Sequence, residues 1–190
     1  IDFWVSFFNL CLAQIVMSWF LWKSIFDYSQ ITSMGGFSFD ELILYYLLAV
    51  FCHKIVQGPQ LGFISMDIFE GGLNKYLLYP RSFFLHKVLA HYATATFYGF
   101  FFLFAYGLFF LCYGFSHSLF FSPLFFILGL LVLAGASYLY FAMASCLEMV
   151  AFWADYTWSL LVLLRFIIYF LGGFLIPLSF YPEWSKVWLE

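Results

Sequence analysis

The chain alternates long apolar blocks with short polar breaks, and block length is its first structural signal. Residues 3–22 are 20 nearly uncharged positions, about 30 Å of helix at ~1.5 Å per residue, the thickness of a bilayer's hydrocarbon core. Trp19, Trp22 and Lys23 close this block as an interfacial anchor. Four further blocks follow at 42–64, 88–112, 123–146 and 156–176. Asp40 and Glu41 open the second in its first turn, where acids suit the helix dipole. That block is the least clean, because His53, Lys54 and Gln57 sit in its lower half ahead of Gly58-Pro59. Lys54 lies about 21 Å down the helix from Asp40, so its stem can snorkel to the far interface; a re-entrant segment is the alternative. The third block opens with Ala90, Ala93, Thr94, Ala95 and Thr96, small enough for a close neighbouring helix. In the fourth, Gly135, Ala142 and Ser145 share a face and suggest a packing seam. Residues 114–122, with His117, form a short loop lacking Lys and Arg. The pattern predicts one all-α domain over 1–190, a polytopic transmembrane helix bundle with five spans.

One segment interrupts this pattern differently. Met66–Lys87 combines Asp67, Glu70, Gly71-Gly72, Lys75, Pro80, Arg81 and Lys87 between two apolar blocks, and is the main candidate for a water-facing piece. Within it Ile68, Phe69, Leu73, Tyr76 and Leu77 recur at helical spacing as an apolar stripe, with Asp67, Glu70, Asn74 and Lys75 as its polar rim. Pro80 separates this stretch from the third block.

Composition supports the membrane reading. The 190 residues are 66% apolar and only 9% charged, against roughly 25% in a soluble domain, so polar groups cannot cover the surface. A dispersed net charge of −3 argues against nucleic acid as a partner. Cys11, Cys52, Cys112 and Cys146 show no paired spacing and read as small buried hydrophobes. Lys54, Lys75, Arg81 and Lys87 fall on one side of the predicted membrane and Lys23 and Lys186 on the other, which places Met66–Lys87 in the cytoplasm. The chain starts at Ile1 without an initiator Met or signal peptide and stops within an amphipathic stretch, 183–190. It reads as an internal piece of a longer protein, with a sixth span expected beyond Glu190.

The run from Gly71 to Pro80, GGLNKYLLYP, resembles the cytoplasmic Gly-x-x-x-x-Leu-Leu-x-Pro segment of ATP-binding-cassette type-2 (ABC-2) permeases, in particular their bacterial six-span subgroup. A second stretch, Gly172–Trp184, is similar to that family's Gly-x-x-x-Pro followed by Pro-x-Trp ahead of the last span, and Phe152-Trp153 fits the opening of the fifth. Gly71-Gly72 departs from the family's single Gly and puts helix continuity there in question. The resemblance implies a half-permease of the bacterial cytoplasmic membrane that pairs with a second permease subunit, identical or not, and with two ATPase subunits. ATP and Mg would be held by those partners, and an exporter of an amphiphilic substrate is the implied activity. It makes Asp67, Phe69, Glu70, Leu73, Lys75, Tyr76, Leu77, Pro80 and Arg81 a coupling helix seated on the ATPase. The residues alone also fit an amphipathic helix on the inner leaflet. The same resemblance makes Gly172, Gly173, Pro177, Pro182 and Trp184 an outer gate built on a short re-entrant helix, with an ordinary external loop as the alternative.

Arg165, ten residues into the fifth block, has no carboxylate one turn away and should face the bundle or a cavity. A structural partner on another helix, substrate handling and snorkelling are its three readings. Catalytic motifs are lacking. No Gly-x-x-x-x-Gly-Lys-Ser/Thr loop is present, so nucleotide binds elsewhere. His86 and His91, five apart, lie on the wrong faces to share a metal. Gly135-Ala136-Ser137-Tyr138 lacks the second Gly and a placed histidine base, which makes Ser137 a packing residue. Glu148 and Asp155 read as interfacial and solvated. A membrane scaffold without transport activity is the rival from another functional class.

Overall fold

A computed structural model describes residues 2–31, 33–58, 62–113 and 123–184. Among these the chain forms seven α-helices and no strand beyond an isolated bridge between Met34 and Phe37. The helices are α1 (Asp2–Ser29), α2 (Phe39–Gln57), α3 (Ser65–Phe69), α4 (Leu73–Leu77), α5 (Phe83–Tyr113), α6 (Pro123–Glu148) and α7 (Trp158–Leu171). Helix α6 runs on into a 3₁₀ turn at Met149–Phe152. Residues 126–152 are the one described helix that is long and apolar enough to cross a membrane by length and composition. The 114–122 loop with His117, and also Pro59, Lys186 and Trp188, lie outside the described residues.

Local chemistry sets the boundaries. Helix α1 continues past Trp22 because nothing in 23–29 breaks it, and ends at Gln30, whose left-handed φ of 52° turns the chain. Helix α2 starts with half of a capping box, in which Glu41 Oε2 accepts the Ser38 N–H at 2.8 Å and the Ser38 hydroxyl at 2.9 Å. It stops at Gln57, seven residues before the end of the apolar block, because Gly58 takes a φ of +62°. The Gly58 N–H still bonds the Lys54 carbonyl at 3.1 Å, as a glycine C-terminal to a helix does. Helix α7 has 14 residues, about 21 Å, and gives way at Gly172 and Gly173 (φ +79°) to an irregular run with a 3₁₀ turn at Leu178–Phe180.

The chain divides into two compact units, Ile1–Phe51 with Ile168–Glu190, and Cys52–Ile167. In the first, Trp22, Leu42 and Tyr46 form the core, with Ile25, Phe26, Phe37, Phe39, Tyr45 and Phe180 packed around them. Trp22 and Phe180 stack at 5.4 Å. In the second, α5 and α6 pair antiparallel. Phe84 meets Phe141, His91 meets Ser137, and the Tyr92 hydroxyl donates to the Ala134 carbonyl at 3.1 Å. The buried stripe of α5 is Lys87, His91, Ala95 and Tyr98; that of α6 is Ser137, Tyr140, Phe141, Ala144, Ser145 and Glu148. Gly135 is exposed with nothing near its Cβ position, so the seam runs through Ser137 and Ser145 and leaves Gly135 out. Polar residues gather inside because the outer faces carry the exposed apolar residues.

Gly58 and Gly36 separate two costs of replacing a glycine. Both have positive φ, but a Cβ at Gly58 would strike the His91 ring, whereas one at Gly36 meets nothing within 4 Å. Gly36→Ala should cost about 1 kcal/mol of backbone strain and Gly58→Ala at least twice that. Unfolding in detergent, followed by tryptophan fluorescence, checks this; equal losses would rule out the close approach of Gly58 to His91.

Candidate functional site

The polar island between α2 and α5 folds as two short helices. Gly71, at φ +69°, ends α3 and redirects the chain into α4, so the stretch is not one continuous coupling helix. Gly72 has no room for a side chain, since a Cβ there would lie 2.9 Å from Asp67 Oδ1.

Two buried attachments hold this pair of helices to the rest of the second unit. At the start of α3, Glu148 Oε2 accepts the backbone N–H groups of Ile64 and Ser65, the latter at 2.8 Å. A carboxylate there satisfies donors that the helix leaves unbonded and suits its dipole. Glu148 is 5% exposed, so it is an internal clamp and not the solvated interfacial acid expected from its spacing to Asp155, which is exposed. Helix α3 also packs on the 149–152 turn that follows Glu148.

The second attachment is Lys87, 1% exposed on the second turn of α5. Its ammonium forms an ion pair with Asp67 Oδ2 and donates to the Phe63 carbonyl at 2.8 Å. It also lies 3.7 Å from the centre of the Phe63 ring, with Tyr76 and Phe83 each at 5.5 Å. Asp67 completes the knot, accepting from Lys75 Nζ at 2.8 Å and from the Tyr76 hydroxyl at 3.0 Å. Asp67 therefore points inward, away from the polar rim expected for it, because the buried ammonium needs a counter-charge. Burial by itself raises the Asp67 pKa, but hydrogen bonds from Lys75, Lys87 and Tyr76 outweigh it and bring it from 3.8 to about 2. Asp67 in turn raises the pKa of Lys75. The charge of Lys87 also acts on Glu148, so the two attachments are neighbours.

The remaining side chains of the segment are presented outward or line a hollow. Phe69 is 49% exposed, and Glu70, Asn74, Lys75, Pro80 and Arg81 are exposed. Ile68, Leu73, Tyr76, Arg81, Phe83 and Met149 help to line a cavity of about 480 Å³. Leu77 lies on α4 with its side chain outside the described residues. The expected stripe is thus split, with Phe69 facing out while Ile68, Leu73 and Tyr76 face the cavity.

The residues near 172–184 lie in the first unit. The Tyr45 hydroxyl donates to the Gly173 carbonyl at 2.6 Å and that of Tyr46 to the Leu175 carbonyl at 3.0 Å. Gly172 and Gly173 are both confined: added Cβ atoms would lie 2.6 Å from the Ile168 carbonyl and 3.0 Å from the Tyr45 hydroxyl. Pro177 is fully buried, while Pro182 and Trp184 are exposed. Arg165 is half-buried in the second unit.

Sequence reasoning also missed the contact between His91 and Ser137. His91 Nε2 lies 2.9 Å from Ser137 Oγ, so Ser137 does have a histidine beside it. Ser137 nevertheless remains a packing residue. Its hydroxyl donates to the Ile55 carbonyl at 3.1 Å, which makes His91 the donor to Oγ and not a base, and Ser137 is 0% exposed. Among the described residues no group of His, Cys, Asp or Glu could hold a metal ion.

The described residues are helical, with apolar side chains exposed and polar ones buried, an arrangement that suits a membrane protein. The family profile described as ABC-2 family transporter protein matches residues 12–189, and the chain belongs to that family. No curated protein and no solved structure matches it.

Removing one partner of the buried pair separates the clamp from the surface bridge. Asp67→Asn leaves the Lys87 ammonium buried without a counter-charge and should cost about 3 kcal/mol, whereas Lys75→Gln should cost far less, its side chain being 54% exposed and screened by water. Amide exchange across 62–80 measures both. Because the folded pKa of Asp67 is depressed, its contribution is complete above about pH 4 and declines as pH falls towards 2. Exchange protection of 62–80 should follow that window in the wild type and lose this component in Asp67→Asn.

Proposed function

We propose that this chain is the permease subunit of an ATP-binding-cassette transporter and exports an amphiphilic substrate. It works with separate ATPase subunits, which hold ATP and Mg, and with a second permease chain. The apolar blocks cross the bacterial cytoplasmic membrane several times, with α3 and α4 on the cytoplasmic side as the coupling segment. ATP binding draws the ATPases together, the coupling segment follows, and the bundle passes to an outward-open state. The irregular run containing Gly172, Gly173, Pro177, Pro182 and Trp184 serves as the outer gate.

One observation carries this reading. The segment that resembles the family's cytoplasmic motif is fastened to α5 through Asp67–Lys87 and to α6 through Glu148, while Phe69, Glu70 and Arg81 stay exposed for a partner. A surface that must pass on a push needs both properties, exposure on one side and rigid attachment on the other. A scaffold requires only the first.

Phe69→Ala removes the largest outward apolar group of α3 and should weaken assembly with the transporter's ATPase subunit by about 2 kcal/mol or more, with ATP-dependent transport in vesicles falling in parallel. Membrane insertion and the unfolding midpoint should hold. In the same vesicles, Asn74→Cys should react with a membrane-impermeant thiol reagent from the cytoplasmic side. Undiminished transport in Phe69→Ala, or labelling of Asn74→Cys from outside the cell, would overturn the assignment.

A further inference from the structure

The second unit holds a set of polar side chains that neither the clamps nor the helix seam uses. His53 is 8% exposed and Gln57, one turn on, 3%. Their side chains bond each other. The Gln57 Nε2 is buried and has no hydrogen-bond partner among the described residues, so this bond runs from the His53 ring N–H to the Gln57 carbonyl oxygen and leaves the amide N–H₂ unused. On α7, the Nε of Arg165 is likewise buried and without a partner among the described residues. Arg165 and Lys54 both act electrostatically on His53. Two N–H donors, one on α2 and one on α7, therefore lie buried without an acceptor among the described residues, and the charge of Arg165 reaches the His53 imidazole beside the first. The described carboxylates of this unit are otherwise engaged or exposed: Asp67 with Lys75 and Lys87, Glu148 with Ile64 and Ser65, and Glu70 and Asp155 at the surface.

Buried donors without acceptors are rare, because leaving one unmade costs the full desolvation of the group. A guanidinium at membrane depth needs an anion still more. We propose that Arg165 and Gln57 form a binding site for the anionic oxygens of an amphiphile's head group, a phosphate or a carboxylate. This rests on the permease reading and narrows the cargo to anionic amphiphiles. The guanidinium supplies charge and the amide a second, neutral donor, so each side chain has a distinct share in affinity.

Equilibrium binding of dodecyl phosphate to the purified full-length permease in a neutral detergent tests the site without the ATPase or the coupling segment, so failure here leaves the coupling reading intact. Saturable binding is expected, weakened about tenfold or more in Arg165→Gln, several-fold in Gln57→Leu, and less in Arg165→Lys than in Arg165→Gln. Dodecyltrimethylammonium should not compete. Competition by inorganic phosphate at equal concentration would move the assignment from amphiphile to free anion and overturn the cargo class. No saturable binding, or binding unchanged in Arg165→Gln with the thermal midpoint preserved, would overturn the site. Loss of the permease dimer in Arg165→Gln on size exclusion, with no binding by the wild type, would give the guanidinium to a carboxylate of a second copy and overturn it as well.

Discussion

Lys87 sets the terms for the end of the second unit that carries α3 and α4. An ammonium that is 1% exposed on an apolar helix is stable only with a counter-charge and saturated hydrogen bonds. Asp67 supplies the charge and the Phe63 carbonyl one of the bonds, while aromatic faces of Phe63, Tyr76 and Phe83 surround the site. Meeting this requirement dictates where α3 must lie, which way it must face, and why Gly72 has no side chain beside Asp67. Glu148 adds a second constraint by taking the first N–H groups of α3, so the helix is located at its start and along its inner face.

The first unit solves a different problem by the same rule. From Gly172 to Phe180 the backbone is largely irregular, and its carbonyls lack the internal partners a helix would give them. Tyrosine hydroxyls take that role: Tyr45 bonds Gly173 and Tyr46 bonds Leu175, and Tyr181 bonds Phe170, in the last turn of α7, at 2.6 Å. A tyrosine can do this in an apolar setting because its ring packs while its hydroxyl donates. The two confined glycines let the chain come close enough for these bonds to form. In the second unit charges meet charges; in the first, phenols meet backbone.

Much of the helical order was legible because apolar block length and breaker residues are local properties. Ser38-Phe39-Asp40-Glu41 even carries the capping-box pattern, of which the structure forms the Glu41 half. The attachments were not legible. Asp67 and Lys87 are 20 residues apart and Glu148 is 83 from Ser65, separations at which no periodicity couples two positions. The facing of α5 and α6 was obscure for a further reason: helices apolar on all sides offer little amphipathic stripe to read. The usable signal is inverted in such helices. Lys87 and His91, and Ser137, Ser145 and Glu148, are buried polar positions that mark the inner face, although His86 and Thr96 of α5 are polar and exposed. Choosing small residues instead selected Gly135, which is exposed.

Not all bonds in the polar island can bear a load. Lys75 reaches Asp67 from the surface, where water screens the pair and leaves it too weak to drag one helix with another. The Lys87 pair is sealed, and breaking it strands an ammonium at a cost of about 3–5 kcal/mol. A displacement imposed on α3 is therefore cheaper to pass on to α5 than to absorb by rupture. The Glu148 bonds do the same for α6, which pairs with α5 along the His91–Ser137 and Phe84–Phe141 contacts. Helices α3, α5 and α6 are thus joined through buried bonds, while Phe69 stays exposed on the outward side of α3.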